Sequence, residues 1–534
     1  MKKTILILFL VSLNVLASEN KFERYAHPTQ AIAFLKTDIQ KFKDSVEKKP
    51  INQSVSIRSL GHKQQVLISV PMGFKVDDFI QDIKKDNNVE LIVPNFVYLG
   101  NYPEYKPNDP LLNKQRHHFV MKNTEAWEIS TGKEEVVVAV TDDGYKLDHE
   151  DLINSWFKNS NEIADNGIDD DQNGYVDDVI GYYFNEMDND PSSDSRYGSH
   201  GTHVSGIVAA GFNNNTGVVG YGPNIKVMPI KFYGKNSWTS AMVLESYTYA
   251  ANNGAKIITT SYMIDDFVGD TAYEKALNYA YNKGLILFNS AGNGRARQSK
   301  RTAFTKLLLV ASTISKAISR REKTDMKSFF SNYGRGVDIS APGEPIHSTG
   351  RSLKYVDMSG TSMAAPNAAG TAALIWSVHP EYSRDQVVAK LMMGADSIDA
   401  LNKKYINLLG AGRVNAEESL SEKHKPPHII NARFLKNKKE LRIHVWGVLA
   451  SSSFSRSGGI ILRKITELGS ADIAIKLKND YFLGTNELVL DIQEKGEFEL
   501  ILLSKEIVDP FGQELDGDHN GQAGGDFIYK FTAD

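Results

Sequence analysis

The sequence predicts an α/β protein: a parallel sheet with helices on both faces, preceded by a small α+β unit and followed by a β-sandwich-like module. Three observations carry this prediction. Across the middle of the 534-residue chain, short and nearly continuous apolar runs alternate with helical stretches, the pattern of strands buried on both faces. Before them, strand-like and helix-like segments are mixed without that regularity. After the charged, proline-containing break Lys423–Pro427, the apolar period changes to two, as in half-buried antiparallel strands. At roughly 100–200 residues per domain, the length supports about three folding units.

Lys2 and Lys3 precede an apolar run from Ile5 to Leu16, and the small residues Ala17 and Ser18 follow. A charged start, a short apolar core and a small-residue exit describe a secretory signal peptide over residues 1–18. The alternative, a membrane anchor, needs about 20 apolar residues, and no later stretch supplies them. Export is therefore expected, to the extracellular space or, in a Gram-negative host, to the periplasm. Residues 19–107 form the α+β unit, with strands over Val66–Val70 and Glu90–Leu99 and a helix over Asp77–Lys85. Asn101–Pro110, with three prolines, reads as an exposed linker. Residues 108–422 carry expected strands at Glu135–Thr141, Ile225–Phe232, Lys256–Thr260, Gly284–Phe288, Leu307–Ala311 and Val337–Ile339, with helices at Ser240–Asn252 and Thr271–Asn282. Residues 423–534 are the β-rich module, with strands at Glu440–Trp446, Gly459–Leu462, Asp472–Lys476, Glu487–Asp491, Glu497–Leu502 and Asp526–Phe531.

Composition excludes several functions. With 61 Lys and Arg against 65 Asp and Glu, the formal charge of −4 offers no basic field for nucleic acid. A hydrophobic fraction of 41% and a charged fraction of 24% belong to a globular chain. The absence of cysteine removes thiol catalysis, thiolate metal sites and disulfides.

Four segments carry chemistry. An apolar strand runs into Asp142-Asp143-Gly144, which puts Asp142 at the sheet rim. His200-Gly201-Thr202-His203-Val204-Ser205-Gly206 opens a small-residue helix, with His200 at its start. Ser290-Ala291-Gly292-Asn293-Gly294 follows a strand and offers a side-chain amide. In Gly360-Thr361-Ser362-Met363-Ala364-Ala365-Pro366, the serine precedes an apolar helix with Pro366 in its first turn. A serine hydroxyl needs a base to remove its proton, imidazole can take and return that proton near neutrality, and a tetrahedral oxyanion needs preorganised donors.

Together, VAVTDDG, HGTHVSGI, SAGNG and SGTSMAAP resemble the subtilase family of serine endopeptidases. The chain order Asp, His, Ser is that of subtilisin. The resemblance covers about residues 108–421 and closes on Gly410–Ala416, while Lys21–Leu99 is similar to the family's inhibitory propeptide. It implies that Ser362 is the nucleophile, His200 the general base and acid, Asp142 its orienting partner, and Asn293 an oxyanion donor beside the Ser362 amide. His203 is then a packing residue. Ser261, Tyr262, Met263 and Gly292 would line the substrate cleft. Met263 stands where glycine is usual, and Asp265 and Asp266 suggest either a taste for basic substrates or a solvated loop. Asp143, where Thr or Ser is commoner, and Asn367, where His is usual, are read as neutral to the chemistry.

The segment between Asp142 and His200 holds Asp169, Asp171, Asn173, Gly174, Tyr175, Asp177 and Asp178 at the spacing of a calcium loop. A structural calcium ion there competes with a solvated acidic turn. Asp516-Gly517-Asp518-His519-Asn520-Gly521 repeats the pattern in the C-terminal module. The expected function is a secreted, self-processing endopeptidase acting on proteins or peptides through an acyl-enzyme. It is expected to be monomeric, with its own propeptide as intramolecular inhibitor and no organic cofactor. The alternatives are a kexin-like processing protease and an inactive calcium-dependent adhesion protein.

Overall fold

The computed structural model describes residues 23–47, 55–60, 64–70, 76–99, 107–194, 198–222, 224–233, 238–262, 267–297, 304, 306–317, 319, 322–455, 459–467, 469–478 and 487–533. The chain divides into two compact units, Met1–Pro103 and Glu104–Asp534. The expected signal segment, most of the linker, and Met263, Asp265 and Asp266 lie outside the described residues.

The first unit runs β1 (Glu23–Leu35), α1 (Ile39–Glu47), β2 (Ser56–Ser59), β3 (Gln65–Ser69), α2 (Val76–Ile83) and β4 (Val89–Leu99). Its sheet has the order β2-β3-β1-β4 with every pair antiparallel, the split β-α-β arrangement of a ferredoxin-like fold. Phe42, Val46, Phe79, Ile80 and Ile83 from the two helices bury themselves against Ala31, Ala33, Ile68 and Ile92 of the strands. The sequence reading lacked β1. Pro94 does not end β4. It pairs with Ala31 beside a register shift, where the missing N–H is tolerated.

The second unit begins with two short helices, α3 (Arg116–Val120) and α4 (Asn123–Ala126). There follow β5 (Val137–Asp142), β6 (Tyr182–Tyr183), α5 (Ser199–Ala209), β7 (Lys226–Lys231), α6 (Ser240–Asn252), β8 (Ala255–Thr260), α7 (Thr271–Asn282), β9 (Ile286–Ser290), β10 (Leu307–Ile314) and β11 (Ile339–Glu344). These strands form one seven-stranded sheet in the order β11-β10-β9-β8-β5-β7-β6, parallel throughout. The hairpin β12 (Ile346–Thr349) and β13 (Tyr355–Met358) leads to α8 (Thr361–Val378), then α9 (Arg384–Met393) and α10 (Ala416–Leu420). Both helices expected from periodicity start at a side-chain cap: Thr239 accepts the Met242 N–H, and Asp270 accepts those of Ala272 and Tyr273. One face of the sheet packs on α5, α8 and α9, the other on α6 and α7. The last strand starts at Ile339, so the expected Val337–Ile339 run was only its approach.

The sheet order reverses beside β5, between β8 and β7, which creates a topological switch point. In such sheets the crevice beyond the carboxyl ends is where ligands bind. Asp142 ends β5, Ser261 follows β8, and Gly292 and Asn293 follow β9.

The C-terminal module contains β14 (His428–Leu435), β15 (Glu440–Trp446), α11 (Ser452–Ser455), β16 (Ile460–Thr466), β17 (Gly469–Ile473), β18 (Glu487–Asp491), β19 (Gly496–Leu502) and β20 (Phe527–Ala533). Sheets β14-β15-β18 and β17-β16-β19-β20 enclose a core of Leu441, Ile443, Leu462, Leu490, Phe498 and Leu500. This is a β-sandwich, as expected, but it is not detached. Val448 belongs to the main core, the Phe511 ring lies 5.2 Å from Tyr382 and 4.6 Å from His424, and His424 pairs with the buried Asp509.

Candidate active site

The site is built from the carboxyl end of β5 and the first turns of α5 and α8. Asp142 is buried at the end of β5. His200 is the second residue of α5, and its Nδ1 lies 2.8 Å and 2.9 Å from the two Asp142 carboxylate oxygens. That contact requires the helix to approach the strand closely. A Cβ on Gly201 would lie 2.5 Å from the Gly144 carbonyl oxygen and 3.0 Å from Asp142 Cβ, so only glycine fits. The His200 side chain is 33% exposed, which leaves Nε2 toward the cleft. Desolvation would lower the His200 pKa, but the Asp142 carboxylate outweighs it, and Asp143 adds to the effect. The result is a pKa raised to about 9.

Asp143 is therefore not neutral to the site. Its carboxylate accepts the Gly201 N–H at 2.9 Å, at the positive end of α5, one residue from His200. Burial, with repulsion from Asp142, raises the Asp143 pKa to about 6. His203 behaves as a packing residue: its Nε2 lies 3.1 Å from the carbonyls of Ile346 and Val356, and burial lowers its pKa to about 3.

Ser362 is the second residue of α8 rather than the residue before it, and Pro366 is the sixth, beyond the first turn. The proline has no N–H to give the Ser362 carbonyl. Ser261 Oγ donates to that carbonyl instead, at 3.3 Å. Asn293 Oδ1 accepts both the N–H and the hydroxyl of Thr361 at 2.9 Å, and Thr361 Oγ1 accepts the Gly292 N–H at 3.1 Å. Gly292 needs its positive φ of 98°, and a Cβ there would lie 2.6 Å from Asn332 Nδ2. With its oxygen held, the Asn293 amide turns its Nδ2 toward the cleft. A point at the Cβ position of Gly360 is 3.5 Å from that nitrogen and 3.6 Å from the Ser362 N, so two donors border the same open space. No hydrogen bond joins His200 Nε2 to Ser362 Oγ among the described residues. Catalytic hydrogen bonds are often long before substrate binds. Tyr262 turns into an aromatic cluster, its hydroxyl 2.8 Å from that of Tyr247 and its ring 5.3 Å from Phe267.

The acidic loop is only partly as its spacing suggested. Glu162, Asp171 and Asp178 each bring one oxygen within 4.8 Å of the others. Asn159 Nδ2 and Asn173 Nδ2 both donate to Asp171 and Asp178. Asp169 turns inward on the loop to accept the N–H groups of Asn173 and Gly174. Asp177 is spent elsewhere, on the N–H groups of Asn166 and Gly167. The Tyr175 ring packs on Tyr182, Phe184 and Tyr249. Glu162, seven residues before Asp169, was missed because it lies outside the loop pattern. One of its oxygens is buried without a partner. Burial raises the Asp178 pKa, and Asp171 pushes it further. An all-oxygen, net-negative set with an open oxygen suits a hard cation.

Residues 133–422 match the model of the subtilase family. Thermitase of Thermoactinomyces vulgaris is 32% identical over 59% of this chain and 99% of its own. A thermophilic serine proteinase of Bacillus sp. (strain AK1) is 32% identical over 57% of this chain and 67% of its own. Among solved structures, a protease from Pseudoalteromonas arctica PAMC 21717 is 25% identical, with a TM-score of 0.46, over 59% of this chain and 99% of that one.

The electrostatics of the pair are directly measurable. In Asp143→Asn the amide oxygen still accepts the Gly201 N–H while one negative charge beside His200 is lost. The imidazole pKa, read by NMR titration, is expected to fall from its raised value toward 6.5. An unchanged titration would show that Asp143 exerts no field on the ring.

Proposed function

This chain belongs to the subtilase family and is a serine endopeptidase, and from that premise we propose that Asp142, His200, Ser362 and Asn293 carry its chemistry in a secreted, self-processed and calcium-stabilised protein. The observation that supports the reading most strongly is the convergence at the switch point: an Asp142-anchored imidazole, a serine in the first turn of a buried helix, and two N–H donors beside it. Ser362 Oγ attacks the scissile carbonyl while His200 Nε2 takes its proton, and Asp142 stabilises the imidazolium. The oxyanion meets the Ser362 N–H and Asn293 Nδ2. Collapse breaks the C–N bond, and the amine leaves with the proton from His200. Water then repeats the sequence on the acyl-enzyme and frees Ser362. The cycle needs neutral His200, so kcat/KM rises with pH through its raised pKa, an alkaline preference.

Asn293 separates this reading from a structural one. Asn293→Ala is expected to lower kcat by about 10²–10³ and leave KM nearly unchanged, because the donor acts on the transition state. Active-site titration with a serine-directed phosphonate normalises for folded enzyme. Per-site turnover within about threefold of the parent would remove the oxyanion role, being far short of that loss.

Export and processing rest on the sequence of residues 1–18 and on the separate fold of the first unit. No helix of the described residues is long and apolar enough to cross a membrane. Residues 19–107 are read as the inhibitory propeptide, cut by the enzyme itself between about Leu99 and Pro110, and Tyr98, Tyr102 and Tyr105 make an aromatic residue before the cut the favoured version. N-terminal sequencing of the mature protein should give a start in that window, and Ser362→Ala should accumulate uncut precursor. A mature start before residue 90 would refute the propeptide assignment.

Glu162, Asp171 and Asp178 are the proposed calcium ligands, with the buried unpartnered Glu162 oxygen as the main support. When bound, the ion would offset the repulsion among these carboxylates and so hold the insertion closed. Calcium should raise the Tm of the parent with the logarithm of its concentration, and Glu162→Gln should remove most of that rise. A Tm indifferent to both calcium and chelator would defeat the assignment.

A further inference from the structure

The loop that carries Asn293 is gripped by a residue that none of the four motifs contains. Asn332 is buried in the segment between β10 and β11. Its Nδ2 donates to the Ala291 carbonyl at 2.9 Å, and its Oδ1 accepts the N–H groups of Gly294 at 3.0 Å and Ala296 at 2.8 Å. Its own N–H donates to the Gly292 carbonyl at 2.8 Å. These four hydrogen bonds fall on the backbone to either side of Asn293, two before it and two after. The approach is so close that position 292 requires glycine, since a Cβ there would lie 2.6 Å from Asn332 Nδ2.

Asn332 is in turn held to the sheet. Ser331 Oγ accepts the N–H of Ser312, a residue of β10, and donates to the Asn332 carbonyl, each at 2.9 Å. The hydroxyls of Ser312 and Ser328 lie 2.7 Å apart. The buried Lys327 donates its ammonium protons to the carbonyls of Ser328 and Ser331, at 2.8 Å in both cases. Both polar atoms of the Asn332 side chain are engaged, and a buried polar network with its members satisfied is rigid. The contacts therefore run without a gap from a central strand to the backbone of Asn293.

We infer that Asn332 is a positioning residue for the oxyanion donor, an inference that rests on the role proposed above for Asn293. Two constraints place a side-chain amide: where its backbone lies and how the side chain is turned. Thr361 sets the second, giving its N–H and its hydroxyl proton to Asn293 Oδ1. Asn332 sets the first, because it bonds the residues on either side of Asn293. An oxyanion hole works through donors aimed in advance at charge that develops only in the transition state. A displacement of about 1 Å can then cost about 10²-fold in rate. Asn332 reaches the reaction only through the Asn293 loop, so its effect vanishes where the Asn293 amide is absent.

The test is a double-mutant cycle in the full chain, with Asn332→Ala and Asn293→Ala made singly and together. The substrate is a peptide p-nitroanilide with an aromatic residue before the scissile bond. Active-site titration with a serine-directed phosphonate puts kcat on a per-site basis, so poorer folding is not read as slower chemistry. Asn332→Ala alone should lower kcat by about 10–10² and leave KM within about twofold, the signature of a misplaced transition-state donor. In the Asn293→Ala background, the same substitution should change kcat by less than about threefold. Asn332→Ser, which leaves a small polar group in the gap, carries the same cycle if Asn332→Ala gives too few sites to titrate. An unchanged per-site kcat in the Asn332 variant would overturn the inference and leave the Asn293 role standing. Losses that multiply in the double variant would make Asn332 a general support of the fold and overturn it equally. Full turnover in Asn293→Ala, read from that single variant, would remove the donor itself and this inference with it.

Discussion

The molecule is organised around the burial of α8. All of its 18 residues from Thr361 to Val378 are buried except Ser362 and Val378, and a helix apolar on every side is stable only inside the protein. Its first turn nevertheless has to surface at the carboxyl edge of the sheet. Thr361 makes the attachment, giving both of its protons to Asn293 Oδ1 and accepting the Gly292 N–H. Pro366 leaves the Ser362 carbonyl to the hydroxyl of Ser261. The loops after β8 and β9 are therefore indexed to one helix end, and the cleft geometry follows from packing.

Electrostatics then decide what that geometry does. On the β5 side, two adjacent carboxylates bracket one imidazole: Asp142 through direct contact and Asp143 through the start of α5. Their combined field holds the proton on His200 until alkaline pH. The same conflict between burial and charge recurs in the insertion, where Glu162, Asp171 and Asp178 converge. Buried or crowded charge is costly without a partner, so these are the places where the fold leaves work for a ligand.

The C-terminal sandwich shares this frame. Its Phe511 sits between Tyr382 of the peptidase part and His424 of the connecting segment, and the His424–Asp509 pair closes the contact. Aromatic packing and a buried carboxylate thus join the module to the peptidase core.

The sequence by itself determined what depends on local patterns. Apolar runs alternating with helices specified the parallel sheet, the period of two specified the sandwich, and capped helices such as Thr271–Asn282 were located to the residue. The four motifs named Asp142, His200, Asn293 and Ser362 because each sits where a strand gives way to a loop or a helix begins. Tertiary structure alone decided whatever depends on groups distant in the chain. It put Glu162 with Asp171 and Asp178 while turning Asp177 to the Asn166–Gly167 amides, and no spacing rule encodes that exchange. It made Asp143 part of the His200 environment, since the field of a carboxylate depends on distance and burial rather than on residue type. It also brought Phe511 to Tyr382, far apart in the chain, because a contact between the peptidase part and the sandwich exists only once both have folded.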